Sequence, residues 1–137
     1  MLPLLLPALI ALAPAPAPAD DGTIAFTQAR VAAMNSRNVD ALVDLYESGA
    51  EAVQADGRSC KGAAALRTAW QERLTAQPKV EVKDATYVAG PDEVFVYGVL
   101  LTSPTPGGEP IAERFSELRI KRHGRWYLRF ESRQPLR

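Results

Sequence analysis

The rhythm of apolar and polar positions divides the 137-residue chain into three stretches. Residues 1–19, MLPLLLPALIALAPAPAPA, carry no charge. Leu2 to Leu12 form an apolar run of the length found in secretion signals, too short to span a bilayer as a helix. Ala17-Pro18-Ala19 puts small residues where a signal peptidase reads, and Asp20-Asp21 follow. The expectation is a leader cleaved after Ala19. The domain comprising residues 20–137 would then be exported to the periplasm or the exterior.

From Thr23 to Gln77 the period is helical. Thr23 to Arg37 is rich in helix formers and free of Gly and Pro, with apolar residues spread around the wheel. Asn38 or Asp40 caps a second helix, Val39 to Glu47, which Gly49 stops. Glu51 to Ala55 and Arg58 to Lys61 flank Asp56-Gly57, a hairpin signal. Ala63 to Gln77 reads as a third helix with a Leu66, Trp70, Leu74 stripe, ended by Pro78.

After Pro78 the period becomes two. Lys79 to Ala89 sets Val80, Val82, Asp84, Thr86 and Val88 on one face. Glu93 to Thr102 is apolar on both faces. Ser103 to Pro110 is a Pro/Gly-rich loop, and Ile111 to Lys121 and Arg125 to Ser132 are the last strands. Their register follows from packing. An Arg122-His123-Gly124 loop pairs Ile120 with Trp126, Leu118 with Leu128 and Ser116 with Phe130 on one apolar face. A two-residue His123-Gly124 turn would set Lys121 against Trp126 and Glu117 against Phe130, mixing the faces, so the pattern favours the three-residue loop.

Composition narrows the function classes. Sixteen Lys and Arg balance sixteen Asp and Glu, which argues against a nucleic-acid binder relying on a broad cationic field. One Cys and one His allow no intramolecular disulfide and too few ligands for a structural zinc. No metal or cofactor is expected, and no stable membrane span.

The order helix, helix, hairpin, helix, then four long antiparallel strands resembles the nuclear transport factor 2-like superfamily, in particular its SnoaL-like branch of small bacterial proteins. NVDALVDLY (Asn38 to Tyr46), DGRSCKGAAALRTAW (Asp56 to Trp70) and ERFSELRIKRHGRWYLRFES (Glu113 to Ser132) carry the likeness. It implies an α+β fold: a cone-shaped, curved antiparallel sheet with three N-terminal helices, a cystatin-like roll with a pocket at its wide end. It also implies frequent homodimers through the outer face of the sheet. It does not imply one activity. The resembling ketosteroid isomerases would place their catalytic base around Val53-Gln54, and Gln54 cannot take a proton from carbon. The SnoaL-type cyclases rely on a pocket His, and His123 lies in a turn.

Several side chains are candidates for chemistry. Asp84 falls in phase with Val80 and Val82, where a carboxylate would be desolvated as a general base requires. Alternatively, a bulge turns it outward or an arginine pairs with it. Arg114, Ser116 and Ser132 share the apolar face of the last hairpin and could hold an anionic or carbonyl group, or Arg114 only neutralises Asp84 or Glu113. Tyr46, Trp70, Trp126 and Phe130 suit a pocket wall and equally a plain core. Cys60 has no base near it and reads as a small hydrophobe. In Glu93 to Thr102, Phe95, Tyr97, Val99 and Leu101 share one side, and whichever side lies outside needs a cover. A second copy or the Ser103 to Pro110 loop would supply it. The expectation is an exported, homodimeric domain binding a small, largely apolar ligand without strong catalysis. The alternatives are an isomerase, dehydratase or hydrolase using Asp84, and a protein-binding module with a filled core.

Overall fold

The computed structural model describes residues 22–76, 79–104 and 108–136. The leader expected over residues 1–19, the helix stop at Pro78 and the middle of the Ser103–Pro110 loop lie outside the described residues. Three helices and six strands follow one another as α1 (Thr23–Asn35), α2 (Val39–Asp44), β1 (Tyr46–Val53), β2 (Ser59–Lys61), α3 (Ala63–Ala76), β3 (Lys79–Ala89), β4 (Glu93–Ser103), β5 (Ile111–Arg122) and β6 (Arg125–Pro135). The strands form one curved sheet in the order β2-β1-β6-β5-β4-β3. The helices cover one face.

Local chemistry accounts for the helices. The Asn38 side chain accepts a hydrogen bond from the Ala41 amide at 3.0 Å and starts α2. The expected stripe of α3 is the buried one: Leu66, Trp70 and Leu74 all enter the core. The second helix is shorter than expected. It ends at Asp44, and Tyr46, Glu47 and Gly49 belong to β1. Gly49, at φ 78°, sits where the β1–β6 pairing shifts register rather than stopping a helix.

The sheet also departs from expectation. β1 runs parallel to β6, so the sheet is mixed rather than antiparallel throughout. The β5–β6 turn is the two-residue His123-Gly124 form, with both residues at positive φ (52° and 76°) and Arg122 paired to Arg125. Lys121 therefore stands opposite Trp126, with its ammonium 5.6 Å from the indole centroid. A bulge then resets the register. Arg119 pairs with Leu128, Arg129 has no partner in the ladder, and Leu118 pairs with Phe130. The expected faces are thus exchanged beyond the bulge, while Ile120, Trp126 and Leu128 are buried as expected. Glu113, Phe115, Glu117, Arg119, Leu128, Glu131 and Arg133 are buried, while Arg114, Ser116, Leu118, Phe130 and Ser132 alternate with them on the other side.

A second bulge lies at Lys83, where pairing passes from Val82–Leu100 to Asp84–Val99. Val80, Val82, Ala85 and Tyr87 belong to or pack on the core, and Asp84 is turned out. The strands approach so closely here that a Cβ on Gly98 would stand 1.8 Å from the Asp84 carbonyl oxygen, so only glycine fits.

Candidate functional site

Under the helices the sheet presents charge. The Arg30 guanidinium, on α1, is buried and bonds both Glu117 on β5 and Glu131 on β6. It also donates to the Tyr46 hydroxyl at 3.1 Å. That hydroxyl donates to Glu131 and accepts from the Trp70 indole N–H at 3.0 Å. Arg119 grips the second Glu117 oxygen through Nε and one terminal nitrogen (2.8 and 2.6 Å) and donates to the Thr23 carbonyl at 2.7 Å. The ring faces of Phe26 and Tyr87 lie 4.6 and 5.9 Å from its guanidinium carbon.

These neighbours decide the ionisation. Burial drives the Arg30 pKa down, but the Glu131 and Glu117 carboxylates outweigh it and hold Arg30 well above the ordinary arginine value. Burial raises Glu117, and Arg30 and Arg119 more than reverse it, leaving its carboxyl below the usual range. Tyr46 is pushed well up by burial and then by Glu131, so it stays a neutral phenol. The deep interior is therefore filled by paired charges. The space among Arg30, Val31, Met34, Phe115, Glu117 and Arg119 is about 10 Å³, room for at most one water.

Open volume lies between the last turn of α3, the β1–β2 loop and the ends of β5 and β6. A cavity of about 270 Å³ is lined there by Gln54, Arg58, Glu72, Arg73, Glu113 and Arg133, with Ala55 and Ala76 supplying apolar wall. Arg73 and Arg133 each place a guanidinium 5.2 Å from the Trp70 ring centroid, so that indole backs the pocket. Arg73 pairs with Glu113 at 3.4 Å. Burial lowers the Arg73 pKa, which Glu113 partly restores. On the rim Arg58 is held by Asp56 at 2.6 Å, and Gln54 donates to the Cys60 sulfur at 3.0 Å.

The residues singled out from sequence divide between the two faces. Tyr46 and Trp70 belong to the interior network as described, whereas Trp126 is buried beside Gly22 in front of α1. Asp84, Arg114, Ser116 and Ser132 do come together, in an open groove of about 460 Å³, but on the face away from the helices. Ser116 faces Ser132 directly, and Asp84 and Arg114 flank Val99. An exposed Asp84 is not the desolvated base that the alternation suggested. Phe130 is half-buried beside Leu118, also outside the cone. Sequence reasoning did not bring Arg73, Glu113, Glu117, Glu131 and Arg133 together, because the three-residue loop put Arg114, Ser116 and Ser132 on the covered face and so turned their neighbours on β5 and β6 away from it. The signal available was Arg30, the one charged residue of α1, whose partners had to be carboxylates across the core. Among the described residues there is no helix long and apolar enough to cross a membrane and no cluster of potential metal ligands.

The chain is similar to a nuclear transport factor 2-like protein of unknown function from Pseudomonas putida, at 16% identity over 85% of each chain and a TM-score of 0.76. It is similar to an uncharacterised protein with a cystatin-like fold from Caulobacter vibrioides, at 18% identity over 85% of this chain and 89% of that one (TM-score 0.74). A ketosteroid isomerase-like protein from Erwinia carotovora aligns at 16% identity over 83% of this chain and 93% of that one (TM-score 0.68). At these identities the likeness is one of fold. No curated protein matches. The SnoaL-like domain model matches residues 27–129, nearly all of the described chain, and the protein therefore belongs to the SnoaL-like domain family of the nuclear transport factor 2-like fold.

Proposed function

We propose that the protein is an exported, homodimeric binding domain that holds a small polar molecule in the cavity lined by Arg73 and Arg133 and performs no strong acid–base chemistry there. The observation that carries this reading is the 270 Å³ opening above Trp70, walled by Arg73 and Arg133 next to an interior otherwise filled. Its charged lining moves the expected ligand from apolar to polar. The ketosteroid isomerase-like neighbour raises the question of isomerase chemistry, and the cavity supplies Gln54 where that base would fall. An amide cannot abstract a proton from carbon. Asp84, the other candidate base, keeps its hydration in the outer groove, so the isomerase, dehydratase or hydrolase reading loses its physical footing.

The dimer reading rests on the outer face, where Val88, Phe95, Tyr97 and Ile111 are 43–55% exposed and the Phe95 and Tyr97 rings lie 5.8 Å apart. Export rests on the apolar leader and predicts a mature N-terminus at Asp20 in the intact-mass spectrum of the exported protein. The decisive measurement for binding is thermal-shift screening of the mature protein against a metabolite library, in parallel with Ala76→Trp, which fills the cavity. Ligands that raise the melting temperature of the wild type and not of the variant support the reading. If no ligand raises it, or the variant responds equally, the cavity is not a binding site.

A further inference from the structure

One buried guanidinium has no ion pair to a described residue. Among the described residues, four guanidiniums that are about nine-tenths buried, those of Arg30, Arg73, Arg119 and Arg133, face three buried carboxylates, Glu113, Glu117 and Glu131. Tyr46 stays neutral and adds no anion. A buried charge without a counterion is costly, and the fold shows which one lacks it. Arg30 spans two carboxylates, Arg119 grips Glu117 with two nitrogens, and Arg73 has Glu113. Arg133 is only 9% exposed, forms no ion pair with a described residue and has a buried Nε without a hydrogen-bond acceptor. Its one described partner is the face of Trp70. It also lines the cavity.

We infer that the cavity takes a small organic monocarboxylate whose anionic head docks on Arg133 beside Arg73, supplying the missing counterion. This rests on the proposed reading that the cavity is a binding site. Arg133, the buried guanidinium with no ion pair to a described residue, calls for a monoanion. Glu113 and Glu72 on the same wall would repel a second negative charge, which disfavours phosphate. The planar fork of arginine matches a carboxylate with two parallel hydrogen bonds. The cavity of about 270 Å³ has room for a small organic acid, with Ala55 and Ala76 against its apolar end.

The test uses the mature protein with sodium benzoate, its neutral isostere benzamide, and inorganic phosphate, followed by calorimetry and thermal shift. Benzoate is expected to bind at one site and raise the melting temperature, benzamide to bind at least tenfold more weakly, and phosphate not to compete. Arg133→Met should lose benzoate binding at least tenfold. Because it removes an unpaired buried charge, it should also melt higher than the unliganded wild type, by about 4 °C. A merely structural arginine would move the melting temperature the other way. If Arg133→Met fails to fold, benzoate quenching of Trp70 emission in a Trp126→Phe background reports the same docking. No quenching there overturns the inference. Equal binding of benzamide, equal binding of phosphate, or undiminished benzoate binding by Arg133→Met overturns the carboxylate assignment and leaves the pocket standing. If none of the probes binds and the library screen is also silent, both readings fall.

Discussion

The β5–β6 half of the sheet and the β3–β4 half distribute polarity differently: β4 buries Val94, Val96 and Leu100, whereas β5 and β6 bury charge. Toward the helices, β5 buries Glu113, Glu117 and Arg119, and β6 adds Glu131 and Arg133. Away from them, β3, β4 and β5 show Val88, Phe95, Tyr97 and Ile111 to solvent. The inner charges are tolerable because nearly every one meets an opposite charge in bonding geometry, and the outer apolar groups are tolerable only if something covers them. Hydrophobicity alone therefore does not say which side of this sheet is inside. Pairing does.

The sharpest way to break that contrast is to orphan one inner charge. Glu117→Ala leaves Arg30 and Arg119 short of a carboxylate each shares, and should destabilise the fold by about 3–5 kcal/mol in urea denaturation. Replacing the group as a whole, Arg30→Met with Glu117→Leu and Glu131→Met, removes charge and counter-charge together. That variant should be neutral or more stable by about 1–4 kcal/mol. A loss comparable to the single variant would mean that the network holds the fold rather than merely being accommodated by it. The pH dependence gives a smaller effect. The Glu117 pKa is lower in the folded state than the ordinary 4.5, so its contribution is complete above that value. It should drain away as the pH falls through the depressed folded value, seen as an acid-side drop in melting temperature that Glu117→Gln lacks. The smallest effect belongs to the outer face: Tyr97→Lys should change monomer stability by less than about 0.5 kcal/mol. If the proposed dimer forms through this face, light scattering should show the variant monomeric under conditions where the wild type is dimeric, and an equally dimeric variant would move the interface elsewhere.

Much of the fold was readable because it is written locally. The Leu66–Trp70–Leu74 stripe and the alternation of β4 each depend on neighbours within a few residues, and each is found in the structure. The hairpin at Asp56-Gly57 forms with a longer loop than the two-residue turn expected: Val53 faces Ser59, the Gln54 amide donates to the Arg58 carbonyl, and Gly57 takes the positive φ. The faces of β5 and β6 were not readable, because two features offset one another. The His123-Gly124 turn does place Lys121 against Trp126, the mixing that argued against it, and the bulge at Arg129 then restores like with like, Leu118 beside Phe130 and Glu117 beside Glu131. A bulge inserts one residue and flips everything after it, and no composition signal marks the place. The same event at Lys83 carried Asp84 out of the cone. The candidate groove was thus found as a group of residues and assigned to the wrong side. The arginine-walled pocket was missed because its members are long polar chains that lie buried only after three elements converge.

The ends of the strand order bear on how copies of this protein can meet. One margin is β2, three residues long, and the other is β3, whose ladder is broken at Lys83 and whose exposed positions include Lys79, Glu81 and Lys83. Short, kinked and charged borders make poor templates for adding a further strand. Any self-association is thereby steered away from runaway sideways growth and toward closed, face-on pairing that would shield the outer aromatic rings.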